Sequence, residues 1–386
     1  MKTAKKFDLI EVICTSLKNN SFETIFNVPG YGGSEVVNNL AQEQKIKTFI
    51  NLNEEAAFSI SYGVSSNGKR SALLIKSQGF AKAMNAITSS LSTEIVSANL
   101  VFVFDDTEGK SSDNILPTKK IIRSAEIPFF TLGSDPCREI ASAIQKSENL
   151  KLPVAIIVDC KKLKKHFSCK IQKIPQKKNK IPYFSERLAC PILTKYQRQN
   201  LKFKLAGSKK REIAPKVADI RSSLPEKLLV EFKKYEKFFD VFKKHRPSII
   251  AGDAGTSALF AFSPYYCIDS CTYMGGGPGM AIGAMLAGYK DAICITGDFS
   301  FFAAGILGFN EALSHNFPLK LIIFNNGKAH ATGGQDLSPE LIDSFCRSHK
   351  NSIIRLKLSS EVEKNIEREL LKFLKKDKLS ILILEV

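Results

Sequence analysis

Two short stretches of the sequence, AICITGD at residues 292–298 and LKLIIFNN at residues 319–326, have the pattern of buried strands that end in polar side chains. Between them, GILGFNEALS at residues 305–314 has the apolar spacing of a helix. Strand, helix and strand form the repeating unit of a parallel sheet, in which all strands have their carboxyl ends at one edge. The sequence therefore predicts that Asp298 and Asn326 lie at the same edge, where open α/β sheets bind ligands.

The same alternation of strands and helices extends over both halves of the chain. Strand-like runs occur at residues 48–50, 71–75, 100–104, 153–158, 248–250 and 380–386. Helical stretches occur between such runs, at residues 54–65, 137–146, 280–287 and 361–375. This pattern predicts an α/β fold with two domains, residues 1–160 and 226–386, each a mostly parallel sheet flanked by helices.

The interval between these domains, residues 161–225, carries most of the net charge. The whole chain has 56 basic and 38 acidic residues, a formal charge of +18, while residues 161–216 alone have 18 basic residues against Glu186 and Glu212. Because we find no zinc-finger, homeodomain or RNP signature, we expect no nucleic-acid binding. The interval is expected to be a solvated linker, or alternatively to engage an acidic or redox partner.

We recognise no targeting signal in the sequence and expect none. Asp8 and Glu11 interrupt the apolar stretch near the start, and the uncharged run at residues 271–289 contains six glycines and a proline. We therefore expect a cytoplasmic protein without a membrane segment, whose nine cysteines are thiols.

The side chains at the predicted sheet edge are oxygen ligands. A carboxylate and an amide carbonyl, together with oxygens from a diphosphate and water, suit an octahedral hard cation such as Mg²⁺. Asp298 and Asn326 therefore predict a bound magnesium diphosphate.

The spacing of this pair resembles the signature of thiamine-diphosphate-dependent enzymes, in which Gly-Asp is followed at a set interval by Asn-Asn; here the interval is 326 − 298 = 28 positions. The surrounding motifs are similar to the diphosphate-binding domain of the indolepyruvate ferredoxin oxidoreductase α-subunit family: CTYMG (271–275), GDFSFFAAGILGF (297–309) and NNGKAHATGGQ (325–335). The first half resembles the same family in PGYGGSEVVNNLA (29–41), NEEAA (53–57), DDTEGKSSDN (105–114) and SDP (134–136). Phosphonopyruvate and sulfopyruvate decarboxylases are also similar, at ALLIKSQGFAKAMNAITS (72–89) and GKAHATGGQ (327–335).

The resemblance implies a role for each half of the chain. Residues 1–160 would bind the pyrimidine ring of the cofactor and residues 226–386 its diphosphate and Mg²⁺. Each site would be built between two subunits, so a homodimer or higher homo-oligomer is expected.

Individual residues are assigned on the same basis. Glu54 would act on the aminopyrimidine ring as a catalytic acid, with Glu55 as its natural control, and His330 would move protons on the substrate. Mg²⁺ would be held by Asp298, Asn326 and the backbone carbonyl of Lys328. The diphosphate would lie near Gly252, Gly255, Thr256, Gly275, Gly276, Gly277, Gly297 and Ser300. The candidates that face the substrate are Lys76, Thr332 and Gln335.

Two departures from the oxidoreductase family affect the expected function. The chain contains no CxxC pattern that could ligate an iron–sulfur cluster. This favours a lyase that decarboxylates a 2-oxo acid without oxidation, or a carboligase that uses the same enamine intermediate. The main alternative is an oxidoreductase component with a separate redox partner. In addition, Phe299 stands where the family has a small residue, so a catalytically inactive cofactor-binding or regulatory protein is a third reading.

Overall fold

A six-stranded parallel sheet flanked by helices forms the centre of each of two units. The computed structural model describes residues 6–41, 46–177 and 184–386. The first unit comprises Met1–Pro182 and Gln199–Arg211, and the second comprises Tyr183–Arg198 and Glu212–Val386.

In the first unit the strand order is β3-β2-β4-β5-β7-β6, and every neighbouring pair is parallel. These strands are β2 (Thr24–Asn27), β3 (Lys47–Ile50), β4 (Ser71–Lys76), β5 (Asn99–Asp105), β6 (Phe129–Thr131) and β7 (Val154–Asp159). The helices are α1 (Leu9–Asn19), α2 (Gly33–Ala41), α3 (Glu54–Ser66), α4 (Ser77–Lys82), α5 (Met84–Ser90), α6 (Thr118–Ser124) and α7 (Pro136–Leu150). Two short strands, β1 (Phe7–Asp8) and β8 (His166–Phe167), pair antiparallel.

In the second unit the strand order is β10-β9-β11-β12-β14-β13, again entirely parallel. These strands are β9 (Ile250–Asp253), β10 (Ser270–Thr272), β11 (Ile293–Gly297), β12 (Lys320–Asn325), β13 (Ile353–Lys357) and β14 (Ser380–Glu385). The helices are α9 (Glu226–Phe242), α10 (Gly277–Ala287), α11 (Asp298–Ser300), α12 (Ile306–Ser314), α13 (Pro339–Ser348) and α14 (Glu363–Leu374). The remaining helix, α8 (Thr194–Leu205), has residues in both units.

The two sheets have the same topology. If the six strands of either sheet are numbered in chain order, their spatial order is 2-1-3-4-6-5. The first strand of each sheet therefore lies between the second and the third. The chain first adds the second strand on one side of it and then adds the third strand on the other side, so the direction in which strands are added reverses at the first strand. Open parallel sheets bind ligands at the carboxyl ends of the strands on either side of such a reversal. In the second unit these strands are β9 and β11.

An aromatic cluster holds α9 against the sheet of the second unit. Phe239 stacks on Phe260 with ring centroids 3.7 Å apart, and Tyr235 stacks on Phe324 of β12 at 4.1 Å. All four side chains are buried. Because these contacts fix the position of α9 along β12, they also fix where the polar residues of α9 lie relative to the strand end.

The predicted α/β fold with two parallel sheets is confirmed. The interval 161–225 contains α8 and short 3₁₀ turns, and its residues are divided between the two units, although residues 178–183 lie outside the described part of the chain. Among the described residues, none of the helices has both the length and the apolar character that crossing a bilayer requires.

The expectation that all cysteines are thiols is wrong for two of them. Cys137, in the first turn of α7, forms a disulfide with Cys169, 32 residues further along the chain. Sequence reasoning missed this pair because the spacing of two isolated cysteines does not reveal that the fold brings them together.

Candidate active site

A cavity of about 480 Å³ lies within the second unit at the carboxyl ends of β9, β11 and β12. Its volume is typical of small-molecule and cofactor sites, which span about 300–1,000 Å³. Nine of the candidate site residues line it: Gly255, Thr256, Gly297, Asp298, Ser300, Asn326, Lys328, His330 and Thr332. The fold therefore gathers residues from three separate stretches of sequence around one cavity.

Asp298 begins α11 directly after β11 and is almost fully buried beside this cavity. Its Oδ2 accepts hydrogen bonds from the backbone N–H groups of Asn326 at 3.0 Å and Gly327 at 2.7 Å, and its Oδ1 accepts one from Phe299 at 2.6 Å. Burial raises the pKa of Asp298, and the three backbone hydrogen bonds oppose that rise. The carboxylate is thus held rigidly against the end of β12, and Oδ1, which accepts one of the three bonds, retains a lone pair for a cation.

Asn326 is oriented by a residue that sequence reasoning missed, Glu231 of α9. The Asn326 Nδ2 donates to Glu231 Oε1 at 2.9 Å, which fixes the side-chain carbonyl, Oδ1, in the opposite direction, where it accepts a hydrogen bond from the N–H of Lys328 at 3.1 Å. Glu231 is 2% exposed and also lies near His330, with 3.6 Å between Oε2 and the imidazole Nε2. Lys234 Nζ, 2.7 Å from the same Oε2, supplies the compensating charge.

The sequence did contain a signal for Glu231. It falls on the apolar face of α9, in register with Phe232, Tyr235 and Phe239, where a charged residue is buried only when it is paired. An acid in this position indicates a polar contact inside the unit, although the partner cannot be identified from helix periodicity.

The predicted diphosphate-binding glycines fall into two groups. Gly255 (φ +140°) and Gly297 line the cavity, and a Cβ at Gly297 would meet no other atom within 4 Å. The others, Gly252, Gly275, Gly276 and Gly277, do not line the cavity; a Cβ at any of them would lie within 3.0 Å of neighbouring protein atoms. These four glycines pack closely against protein atoms, whereas the space beside Gly255 and Gly297 is open.

Close packing around Gly275 involves a second residue that sequence reasoning missed, Asp253 at the end of β9. Its Oδ2 accepts hydrogen bonds from Thr296 Oγ1 at 2.7 Å and from the N–H of Gly275 at 3.0 Å. Burial raises the pKa of Asp253 to about 7, despite the opposing effect of these two bonds. Asp253 therefore links the ends of three segments, β9, β11 and the turn before α10, beneath the cavity.

The loop after Asn326 carries the remaining candidates of the second unit. His330 begins a short 3₁₀ turn and is partly buried, whereas Thr332 and Gln335 are exposed. Gln335 does not line the cavity, and its backbone carbonyl accepts a hydrogen bond from the N–H of Ala329 at 2.8 Å. The Lys328 Nζ lies 3.1 Å from a carboxylate oxygen of the exposed Asp336, and Lys328 also lines the cavity.

Part of the cavity wall comes from the interval that the sequence suggested as a linker. Its lining includes residues 190–192 and 223–225, mostly apolar, together with Leu228 of α9. The sequence pattern gave no indication of this role because the signal in that interval is dominated by exposed lysines.

In the first unit, Glu54 begins α3, whose N-cap is Asn53. The Glu54 side chain is mostly buried, and Gly79 packs so closely that a Cβ there would lie 2.8 Å from Glu54 Cγ. Lys82 Nζ lies 3.0 Å from Glu54 Oε2, but the geometry is not that of a hydrogen bond. Glu54 Oε2 is thus a buried oxygen that has a charged neighbour and accepts no hydrogen bond.

The neighbouring acid, Glu55, has a different environment. Its Oε1 accepts a hydrogen bond from Asn85 Nδ2 at 3.2 Å, and burial raises its pKa. The two adjacent carboxylates thus have different partners, which makes them a useful comparison.

Lys76 lies at the end of β4, at the same edge of the sheet as Glu54. Its Nζ donates to the carbonyl of Ser111, and its alkyl chain fills the space that a Cβ at Gly30 would need, 2.6 Å from Lys76 Cδ. Asp106 stabilises the loop that receives this lysine by accepting hydrogen bonds from the N–H groups of Lys110 and Ser111. The structure therefore gives Lys76 a defined position.

The donor set of the cavity fits a divalent cation that carries a diphosphate. Asp298 and the oriented Asn326 carbonyl offer hard oxygen ligands, and the space above Gly297 and Gly255 lets phosphate oxygens approach the backbone. Phe299 also lines the cavity, but its backbone N–H is held by Asp298.

Comparison with known proteins supports this interpretation. The family model described as thiamine pyrophosphate enzyme, C-terminal TPP binding domain, matches residues 253–367, which contain most of the cavity lining. The α subunit of sulfopyruvate decarboxylase from Methanococcus maripaludis is 25% identical over 155 residues, which are 39% of this chain and 93% of that subunit.

Solved structures show the same fold over nearly the whole chain. One, described as a thiamin diphosphate-dependent enzyme from Mycobacterium smegmatis, has a TM-score of 0.66 at 11% identity and covers 99% of both chains. Another, the thiamine diphosphate-dependent 4-hydroxybenzoylformate decarboxylase of Rhodococcus jostii RHA1, has a TM-score of 0.65 at 12% identity and covers 98% of this chain and 99% of that one. The resemblance to thiamine-diphosphate-dependent enzymes, and to sulfopyruvate decarboxylase among them, is confirmed.

Proposed function

We propose that this chain, whose residues 253–367 match a thiamine pyrophosphate-binding domain, is a thiamine-diphosphate- and Mg²⁺-dependent enzyme that decarboxylates a 2-oxo acid without an external oxidant. The observation that carries the proposal is the cavity that brings Asp298, Asn326 and His330 together at the ends of two adjacent strands. The similarity to the sulfopyruvate decarboxylase subunit supports decarboxylation as the reaction.

The metal would be held by the Asp298 carboxylate, the Asn326 side-chain carbonyl and the backbone carbonyl of Lys328. Asp298 is already fixed by three backbone hydrogen bonds and Asn326 by Glu231, so little side-chain entropy is lost when a cation binds. Thr256 and Ser300 border the same cavity and would contact the diphosphate; the Ser300 hydroxyl, which donates to the carbonyl of Ala254 at 3.1 Å, would have to exchange that bond for one to a phosphate oxygen.

When bound, thiamine diphosphate supplies the electron sink that decarboxylation of a 2-oxo acid requires. The chain supplies charge, orientation and proton transfer. Glu54 would hold a proton at the aminopyrimidine ring, because its Oε2 is buried and available for a hydrogen bond. Lys76 would attract the substrate carboxylate, and His330, held near Glu231, would transfer protons to the product.

The remaining assignments follow from the resemblance and are proposals of the same kind. We expect a homodimer or higher homo-oligomer, measurable by analytical ultracentrifugation. Thr332 and Gln335 would contact the substrate from the loop after Asn326. Carboligation would use the same residues, and an oxidoreductase would in addition need a separate redox partner, for which the basic interval is the candidate surface.

The test is anaerobic release of carbon dioxide from a panel of alkyl, aryl, phosphono and sulfo 2-oxo acids by the purified protein with thiamine diphosphate and Mg²⁺. Each reaction is run with and without a viologen dye. Release that is independent of the dye supports the decarboxylase, whereas release that requires the dye would assign the chain to the oxidoreductases. Cofactor binding without turnover of any substrate would support the inactive alternative.

A further inference from the structure

A second pocket lies in the first unit, and none of the residues assigned above lines it. It has a volume of about 210 Å³ and is lined by the C-terminal end of α7 and by residues of the basic interval. Its ionisable lining residues are Glu94, Lys151, Lys204, Lys209, Lys210 and Arg211. Five cations against one carboxylate leave four excess positive charges around a space of about seven water volumes.

Glu94 organises the cations of this pocket. Its side chain is 3% exposed; Oε2 lies 2.9 Å from Lys151 Nζ, and Oε1 lies 2.7 Å from Lys204 Nζ and 2.5 Å from an Arg211 guanidinium nitrogen. Although burial raises the pKa of Glu94, the charges of Lys204 and Lys151 outweigh it and hold the pKa below its ordinary value. One buried carboxylate thus draws three cations of the lining together.

We propose that this pocket binds a small anion with a phosphate chain, either free or at the end of a larger molecule. The size of the pocket fits a diphosphate, and Leu150 is its single apolar lining residue, so no wall suits an aromatic or aliphatic ligand. The negative end of the α7 dipole, about half a charge, is too weak to cancel an excess of four. The concave shape favours a compact polyanion over the extended surface of an acidic protein.

The exposed pair Lys209 and Lys210 allows a test that leaves the buried ion pairs intact. Binding of inorganic diphosphate and of ADP is measured by calorimetry at physiological ionic strength, with EDTA and without thiamine diphosphate. The wild-type protein should bind at one site, and the double variant Lys209→Gln/Lys210→Gln should bind at least tenfold more weakly. The tighter of the two probes identifies whether a free or an attached phosphate chain is preferred.

Two controls define the site. Lys164→Gln/Lys165→Gln removes the same charge from an exposed pair elsewhere in the basic interval, and should change the dissociation constant less than twofold. Asp298→Ala, in the other unit, should bind diphosphate like the wild type. The proposal would be overturned if both lysine-pair variants lost affinity for diphosphate equally, or if Asp298→Ala lost it. It would also be overturned if the wild-type protein bound polyglutamate but neither diphosphate nor ADP.

Discussion

Glu231 provides a quantitative test of how the candidate active site is built. Its carboxylate accepts the hydrogen bond from Asn326 Nδ2 at 2.9 Å and so fixes the orientation of the amide, whose Oδ1 is the proposed metal ligand. A hydrogen bond to a charged group contributes about 1.5–3 kcal/mol. If Glu231→Ala releases the amide, Mg²⁺-dependent binding of thiamine diphosphate should weaken by about 10- to 150-fold.

The assay is a calorimetric titration with thiamine diphosphate at several Mg²⁺ concentrations. In Glu231→Ala the Mg²⁺ concentration for half-maximal binding should rise, which a general loss of stability would not cause. Glu231→Gln keeps an acceptor for Asn326 and should lose less affinity than Glu231→Ala. Glu236→Gln is the matched control, since this residue lies on the same helix but bonds the hydroxyl of Tyr265 at 3.0 Å. Wild-type Mg²⁺ dependence in a folded Glu231→Ala would refute the orienting role.

Three further outcomes are expected. Glu54→Gln should keep cofactor binding but lose most exchange of the acidic proton of thiamine diphosphate, measured by NMR, whereas Glu55→Gln should change little; comparable losses would contradict the role of Glu54. Arg70→Ala leaves the buried Glu148 charged without the guanidinium that lies 2.7 Å away, so the free energy of unfolding measured in urea should fall by about 3–5 kcal/mol. Lys69→Ala, in an exposed pair, should lower it by less than about 1 kcal/mol, and an equally small change in Arg70→Ala would show that the buried pair is not stabilising. Asp253 has a pKa of about 7 in the folded protein, above its unfolded value, so the folded protein binds this proton more tightly. The free energy of unfolding of the wild type should therefore fall by up to about 4 kcal/mol as the pH rises from about 4 to about 7. Asp253→Asn should abolish this fall in thermal unfolding scans, and an unchanged pH profile would contradict the assignment.

The central strands of the second unit were predictable from local sequence. The runs that end at Asp298 and Asn326 are apolar, short and followed by polar residues, and the structure places them as neighbouring parallel strands β11 and β12. The closing helix and strand, predicted at residues 361–375 and 380–386, were also found, as α14 and β14. In each case the periodicity of a single segment carries the information.

Contacts between distant segments were not predictable. Glu231 precedes Asn326 by 95 positions, and only the packing of α9 on β12 brings them together. The same holds for the disulfide between Cys137 and Cys169 and for the apolar wall at residues 190–192. The motif at residues 275–277 likewise indicates close approach of other atoms to the backbone, but the sequence does not reveal that protein atoms, such as Ala304 Cβ beside Gly275, are among them.

The most direct test of the proposed cofactor site is a crystal structure with thiamine diphosphate and Mn²⁺ in place of Mg²⁺, so that the metal can be located by anomalous scattering. We predict that the metal lies within coordination distance, about 2–2.5 Å, of oxygens from Asp298, Asn326 and Lys328, with the diphosphate in the cavity beside Gly255 and Gly297. A metal bound elsewhere, or a cofactor that leaves this cavity empty at saturating concentration, would contradict it.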